Sequence, residues 1–266
     1  MEKYSTFIMA FAICTIQLFS AEDFAAREFK GKNDGKLLYR IHLPENLPKT
    51  AKCPLILVLH GAGERGNDNK CHIARNYGPI ELMKYSKDNN ENAIIIAPQV
   101  PKKQQWVDVP WGGLKHTMPE KPSAVMQLTL ELLDKVIDEM QVDRNRVYVT
   151  GLSMGGYGTW DIIQRRPKLF AAAMPICGGG DTAMADKIKD IPIWAFHGAR
   201  DRVVKPSRTK DMIEAIRKAG GNPKVSIFPG TKHDSWKQVY RDWKKQYLPW
   251  FFAQKKKSDE SNKKDE

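Results

Sequence analysis

The sequence lacks the features that mark several protein classes. Only four cysteines occur in 266 residues, Cys14, Cys53, Cys71 and Cys177, and none has Cys-x-x-Cys or zinc-site spacing. No G-x-x-x-x-G-K-[ST] phosphate-binding loop is present. The longest apolar run, residues 7–19, is too short to span a bilayer comfortably. These absences exclude a disulfide scaffold, a zinc module of common spacing, a P-loop enzyme and a multi-span membrane protein.

The first 21 residues have the pattern of a secretory signal peptide. Lys3 precedes the apolar run 7–19, and the small residues Ser20 and Ala21 follow it. We expect cleavage near Ser20–Ala21 and therefore a secreted or periplasmic protein without stable membrane insertion; the alternative is an uncleaved anchor. Cleavage removes Cys14, and the three remaining cysteines cannot all pair. One bridge is possible, and the sequence does not choose it.

The chain carries a formal net charge of +12 with histidines neutral. The charged tail 255–266 contributes little of it and is predicted to be disordered. The basic charge on the remaining 22–254 favours acidic or polyanionic partners in general terms, or serves solubility alone. No basic motif interleaved with aromatic residues is present, so we predict no nucleic-acid partner. We expect one catalytic domain over 22–254.

Apolar runs alternate with helical patterns along the chain, which predicts an α/β protein with a mainly parallel, twisted sheet and helices on both faces. In such sheets ligands bind beyond the carboxyl ends of the strands. The predicted strands lie within 37–44, 54–60, 92–99, 146–151, 170–180, 191–198 and 225–230, and the predicted helices within 123–140, 154–167, 207–221 and 235–252.

The stretch LILVLHGAGERG contains G-x-G-x-x-G at Gly61, Gly63 and Gly66, the spacing of a dinucleotide-binding turn. That turn must open a helix, and an acidic residue should end the next strand. Here residues 67–78 are a poor helix start, and the next strand ends in Ala97–Pro98–Gln99. The context therefore argues against a nucleotide, and we predict no cofactor and no metal.

A second glycine motif carries the chemistry. GLSMG, residues 151–155, matches G-x-S-x-G between a predicted strand and a predicted helix. This is the setting of a nucleophile elbow, a sharp turn that presents one serine, and its flanking glycines avoid clashes in that turn. The pattern predicts Ser153 as a catalytic nucleophile.

A serine nucleophile needs a histidine base and a carboxylate that orients the base, in the chain order Ser, acid, His. Only His197 and His233 follow Ser153, and His233 lies in the loop after the last predicted strand, so we assign it as the base. Asp201 follows the preceding strand and is our acid, with Asp181 as the alternative.

The reaction also needs two N–H groups facing the developing oxyanion. One comes from the residue after the nucleophile, Met154, and the other from a loop after an early strand. HGAG, residues 60–63, is that loop. Its glycines, which also fit the spacing of a dinucleotide-binding turn, let backbone N–H groups approach the substrate oxygen. Ala62 is the predicted donor, with Gly63 as the alternative, and His60 is expected to brace the loop.

Together HGAGERG, GLSMGGYGTW, FHGARDRVV and HDSW resemble the α/β-hydrolase superfamily from about Leu37 to Phe252. More narrowly they resemble secreted esterases related to polyhydroxybutyrate depolymerases and to the feruloyl and acetyl-xylan esterases of carbohydrate esterase family one. The resemblance implies a serine esterase without metal or cofactor. Many such depolymerases have cysteine after the early His-Gly, where this chain has Ala62.

The substrate is less well defined by the sequence. Trp106 and Trp111 in the long loop 100–123, and Trp236 after the base, could hold a sugar or feruloyl ring, although each also suits a packing role. We expect a carboxylesterase that removes feruloyl or acetyl groups from plant-type polysaccharide. The alternatives are a polyester depolymerase, a lipid esterase or a peptidase with the same triad, and, from another class, a binding protein on an inactive hydrolase scaffold.

Overall fold

The computed structural model describes residues 21–45, 48 and 50–256. Residues 1–20 of the predicted signal segment and residues 257–266 of the predicted tail lie outside the described residues. The signal peptide and the disordered tail therefore stay predictions. Within the described part of the chain, no helix is both long and apolar enough to cross a membrane.

Eight strands form one sheet in the order β1-β2-β4-β3-β5-β6-β7-β8. β2 is antiparallel to both of its neighbours, and β3 to β8 run parallel to one another. The sheet is thus mainly parallel, as the sequence predicts. The strands are β1 (Ala25–Lys30), β2 (Lys36–His42), β3 (Cys53–Leu59), β4 (Ile94–Pro98), β5 (Val142–Leu152), β6 (Ala172–Ile176), β7 (Trp194–Gly198) and β8 (Lys224–Phe228).

Helices cover both faces of this sheet. They are α1 (Cys71–Ala74), α2 (Tyr77–Asp88), α3 (Ala124–Glu139), α4 (Met154–Arg165), α5 (Ser207–Lys218), α6 (Ser235–Asp242) and α7 (Leu248–Ala253). Consecutive residues of β5 show the division, since Val147 and Val149 belong to one apolar cluster and Tyr148 to the other. The first cluster includes buried residues of α3, α4 and α5, and the second includes those of α2, α6 and α7.

The sequence patterns miss β1, α1 and α2, each for a physical reason. The helix α1 has only four residues, too few to show a helical repeat. Only Phe29 of β1 is buried, so this edge strand has no apolar alternation to detect. The helix α2 carries Gly78 and Pro79 in its first turn, residues that usually interrupt a helix but are tolerated there. Asn76 caps this helix by accepting a hydrogen bond from the Gly78 N–H at 3.1 Å.

The last predicted helix is interrupted. A π-helical turn, Trp243–Tyr247, separates α6 from α7. Pro249 lies in the first turn of α7 and cannot donate a backbone hydrogen bond, so a continuous α-helical ladder would fail at this point.

The close approach of β3 to the turn after β5 depends on glycine. The strands pair in parallel, with Leu59 opposite Gly151. A Cβ placed on Gly155 would lie 1.9 Å from the Leu59 carbonyl oxygen, a backbone atom held by the sheet. Any side chain there forces the two backbones apart.

We therefore expect Gly155→Ala to lower the free energy of unfolding by about 3 kcal/mol or more, because backbone atoms of a central strand cannot move aside cheaply. Gly112→Ala is the matched control, since a Cβ on Gly112 meets no atom of the described residues within 4 Å. Urea denaturation measures both; equal losses in the two variants would contradict the close-approach argument.

Candidate active site

The nucleophile elbow predicted from GLSMG lies at the carboxyl end of β5. Ser153 connects β5 to α4 with φ 53° and ψ −114°, a left-handed conformation that is costly for serine. The Ser153 N–H donates to the Ile176 carbonyl oxygen of β6 at 2.9 Å, which helps hold the turn. The strained backbone is thus fixed by the sheet and presents the Ser153 side chain beyond it.

Three side chains from three loops form one hydrogen-bonded chain. Ser153 Oγ lies 2.8 Å from His233 Nε2, and His233 Nδ1 lies 2.7 Å from Asp201 Oδ2. The N–H groups of Val203 and Val204 donate to the other carboxylate oxygen, Asp201 Oδ1, at 2.9 and 3.0 Å. A base that can take the serine proton and a carboxylate that orients this base are therefore in contact.

Asp201 is fully buried as a side chain, yet it stays ionised. Burial alone would raise its pKa, but hydrogen bonds from His197, His233 and the Val204 N–H outweigh it and hold the pKa of Asp201 below its usual value. The His233 side chain is 22% exposed, so the base remains reachable from outside. A permanent negative charge behind His233 stabilises the imidazolium that forms when His233 accepts a proton.

Asp181, the alternative acid, lies elsewhere. Its carboxylate accepts hydrogen bonds from the N–H groups of Met118 at 2.8 Å and Ala183 at 3.0 Å. The second of these bonds caps a 3₁₀ turn, Thr182–Ile188. Asp181 therefore fixes a loop, and the structure pairs His233 with Asp201.

The loop predicted to supply an oxyanion donor packs directly against the elbow. Gly61 approaches Leu152, the residue before the nucleophile, so closely that an added Cβ would lie 2.6 Å from Leu152 Cδ1. The first hydrogen bond of the 3₁₀ turn Ala62–Glu64 is Glu64 N to Gly61 O, and the first bond of α4 is Tyr157 N to Ser153 O. The N–H groups of Ala62 and Met154 precede these bonds and are not used within their own turns. Their role as oxyanion donors, and Gly63 as the alternative, stay predictions.

His60 ties this loop to the sheet. It is 1% exposed; its Nδ1 donates to the Gly61 carbonyl at 2.6 Å, and its Nε2 accepts from the Val100 N–H at 2.9 Å. Burial lowers the pKa of His60 to about 3. A neutral histidine with both nitrogens bonded is a brace, as the sequence suggests, and leaves no nitrogen for proton transfer.

Buried neutral histidines predict how stability depends on pH. Burial also lowers the pKa of His72 to about 4, so between pH 6.5 and pH 4 the unfolded chain binds protons that folded His60 and His72 do not. The free energy of unfolding should therefore fall with falling pH by roughly 1.4 kcal/mol per unit for each histidine. Urea denaturation from pH 7 to pH 4.5 should show a shallower slope in His60→Gln; an unchanged slope would contradict this.

His197 contributes to the site in a way that the sequence reasoning missed. Its Nε2 lies 3.0 Å from the Val204 carbonyl oxygen and 3.2 Å from Asp201 Oδ2, and its Nδ1 lies 2.8 Å from Thr209 Oγ1. Because both neighbours of Nε2 are acceptors, Nε2 carries a proton. Asp201 Oδ2 therefore receives N–H groups from two histidines, His233 and His197. The sequence signal for this contact was the four-residue spacing from His197 to Asp201 across the tight turn after β7, which brings the two side chains together.

We expect His197→Leu to lower kcat by about tenfold with a smaller change in KM, because one donor that fixes Asp201 is lost. The acidic limb of the kcat/KM pH profile should move to higher pH, since a carboxylate with one donor fewer holds the proton on His233 more strongly. His72→Leu is the control, a buried histidine whose Nε2 bonds the Ala97 carbonyl of β4 and not Asp201. The positioning role fails if the pH profile of His197→Leu matches that of His72→Leu.

The three tryptophans predicted to contact substrate lie in different environments. Trp106 is fully buried, and its Nε1 donates to the His60 carbonyl at 2.9 Å, so its predicted substrate contact is wrong: the ring packs in the core. Trp111 is half-buried beneath the Arg65 guanidinium, 5.9 Å from the ring centroid. Trp236 is half-buried, with its ring perpendicular to that of His233 at 5.4 Å. Trp111 and Trp236 remain candidates.

The three cysteines of the described chain are unpaired: Cys53 and Cys177 are buried and Cys71 is half-buried. Cys177 lies beside the triad, and its thiol, Asp201 and His233 offer ligand atoms within 4.8 Å of one another. Burial raises the pKa of Cys177 to about 12, so the thiol stays protonated, and Asp201 and His233 already bond each other. This donor set therefore suits the triad better than a metal ion.

Comparison with known proteins identifies the family. The family model described as "Dienelactone hydrolase family" matches residues 95–259, more than half of the chain. The chain belongs to the dienelactone hydrolase family. This membership confirms the predicted α/β-hydrolase superfamily and a hydrolase as the enzyme class, and the match includes Ser153, Asp201 and His233.

Three relatives of this family member are informative. A bifunctional acetylxylan esterase/xylanase, XynS20E of Neocallimastix patriciarum, is 25% identical over 178 residues, which are 66% of this chain and 23% of that protein. Poly(3-hydroxyalkanoate) depolymerase C of Paucimonas lemoignei is 27% identical over 226 residues, covering 69% of this chain and 49% of that protein. The crystal structure of a thermostable esterase superposes with a TM-score of 0.82 at 34% identity, covering 89% of this chain and 64% of that one. The chain thus spans about half or less of the length of each of these two curated relatives.

Proposed function

We propose that this hydrolase is a secreted serine carboxylesterase that removes feruloyl or acetyl groups from plant-type polysaccharide. One observation carries the catalytic part: Ser153, His233 and Asp201 form a continuous hydrogen-bonded chain with contacts of 2.8 and 2.7 Å at an elbow with a strained serine. This arrangement activates a hydroxyl for attack on a carbonyl.

In the proposed reaction Ser153 Oγ attacks the ester carbonyl carbon while His233 Nε2 takes the hydroxyl proton. The negative charge that develops on the carbonyl oxygen is stabilised by the N–H groups of Ala62 and Met154. His233 then gives its proton to the departing alcohol, and an acyl-enzyme on Ser153 remains. Water attacks this ester by the same route, and His233 returns the proton to Ser153 as the acid leaves.

The substrate class rests on two supports. The acetylxylan esterase/xylanase relative is named for an ester on a polysaccharide, although this chain spans only 23% of that protein. The net charge of +12 favours polymers that carry acidic groups, such as uronic acids. The secreted or periplasmic location rests on the N-terminal pattern of Lys3, residues 7–19 and Ser20–Ala21.

A second candidate function has a specific observation in its favour. The depolymerase relative is named for poly(3-hydroxyalkanoate), and it covers a larger share of this chain, 69%, than the acetylxylan relative does. A polyester depolymerase would use the same triad and mechanism. Lipid esterase, peptidase and inactive binding protein remain alternatives without such an observation.

Ser153→Ala should lower turnover of p-nitrophenyl acetate by at least about 10³-fold while leaving the thermal unfolding temperature within a few degrees, because only the attacking oxygen is removed. Hydrolysis assays and thermal denaturation of the mature chain test this. Retained turnover would refute the assignment of Ser153.

The substrate proposal is tested on methyl ferulate, acetylated xylan and a poly(3-hydroxybutyrate) film with the same pair of proteins. Hydrolysis of ferulate or xylan esters that is lost in Ser153→Ala supports the polysaccharide esterase. Hydrolysis of the film alone favours the depolymerase. No hydrolysis of any ester, including p-nitrophenyl acetate, favours the inactive scaffold.

A further inference from the structure

A cavity lies beside the triad and has no part in the proposed chemical steps. Its volume is about 570 Å³, within the range of small-molecule sites. It lies between the loop after β3, the start of α2 and the helix α6. The residues that matter for its chemistry are Glu64, Arg75, Asn76, Leu152, Trp236 and Tyr240.

Three of the lining residues lie next to the catalytic residues or the predicted oxyanion loop. Leu152 is the residue immediately before Ser153, and Trp236 stands edge-on to the His233 ring at 5.4 Å. Glu64 belongs to the same 3₁₀ turn as Ala62, the predicted oxyanion donor. A group bound in the cavity can therefore be part of the molecule whose ester lies at Ser153.

Two polar groups of this cavity are buried and have no hydrogen-bond partner among the described residues. Asn76 is only 3% exposed; its Oδ1 accepts from the Gly78 N–H at 3.1 Å and from the Tyr240 hydroxyl at 3.2 Å, whereas its Nδ2 has no partner. Glu64 Oε2 is also buried and accepts no hydrogen bond from the part of the chain that the structure describes. Buried polar atoms are rarely left unpaired, so an amide donor and a carboxylate acceptor are available here to bond water or a ligand.

The unpaired groups define the ligand chemistry. A hydroxyl group can donate to a carboxylate oxygen and accept from an amide N–H, so hydroxyls complement Glu64 and Asn76 together. Trp236 and Tyr240 add aromatic surface of the kind that holds a ring. The formal charges of the lining residues balance, since Glu64 and Glu81 are matched in number by Arg75 and Lys237. Balanced charge favours a neutral ligand over a charged one.

We propose that this cavity binds a neutral hydroxylated ring of the ester substrate, with the ring hydroxyl bonded to Glu64 and Asn76. The proposal rests on the proposed function, because it takes Ser153 as the reaction centre. Two parts of such an ester have this chemistry: the phenolic ring of a hydroxycinnamoyl group and the sugar ring of the alcohol.

Binding is measured by calorimetry in Ser153→Ala protein, so that turnover is not needed. One pair of probes is methyl 4-hydroxycinnamate and methyl cinnamate, and the other is methyl β-xylopyranoside and its fully O-methylated derivative. We expect the hydroxylated member of at least one pair to bind about tenfold or more tightly than its partner. A preference in the first pair assigns the phenolic ring, and one in the second pair assigns the sugar ring.

Two substitutions link this preference to the cavity. Asn76→Asp keeps the oxygen that caps α2 but replaces the free N–H donor with an acceptor, and Glu64→Gln exchanges the carboxylate for an amide. Each should reduce the preference to about threefold or less. Asn145→Asp is the matched control, the same chemical change at an exposed position in β5 outside the cavity lining.

The outcomes separate this proposal from the proposed function. Equal binding within both pairs, or a preference that Asn76→Asp and Glu64→Gln leave intact, overturns the cavity assignment even if esters are hydrolysed. A preference that Asn145→Asp also abolishes overturns it as well. A preference lost only in the two cavity variants supports it, even if the polysaccharide substrates prove wrong.

Discussion

The site depends on one close contact, the approach of β3 to the turn after β5. Parallel pairing places Leu59 opposite Gly151, and the absence of a side chain on Gly155 lets the Leu59 carbonyl reach the first turn of α4. This contact keeps the strained φ of Ser153 in place and sets the loop of Ala62 beside the nucleophile. Backbone packing therefore positions the nucleophile, and the His60 side chain adds its hydrogen bonds to hold the loop of Ala62.

The second constraint is electrostatic. A buried carboxylate is costly unless it is well bonded, and Asp201 receives N–H groups from Val203, Val204, His233 and His197. Because the backbone turn supplies two of these donors, the carboxylate is held before His233 contacts it. The loop after β7 thus holds the acid of the triad in place, and His197 links that loop to Thr209 of α5.

The sequence predicted the parts of the molecule that follow from local rules. Buried parallel strands are apolar runs, and G-x-S-x-G needs glycine for a steric reason, so the sheet and Ser153 could be found from residues alone. Chain order separated His233 from His197, and the structure pairs His233 with Asp201. The sequence reasoning failed where a role depends on tertiary contacts. Trp106 is a core residue whose ring nitrogen donates to the His60 carbonyl. Asn76 and Glu64 line one cavity although they lie on separate loops.

The central claim is that His233 activates Ser153 for nucleophilic attack. Labelling the protein with a fluorophosphonate and mapping the adduct by mass spectrometry tests this most directly. Our account predicts a single adduct on Ser153 that forms at least about 10²-fold more slowly in His233→Ala. An adduct on another serine, or an unchanged labelling rate in His233→Ala, would contradict it.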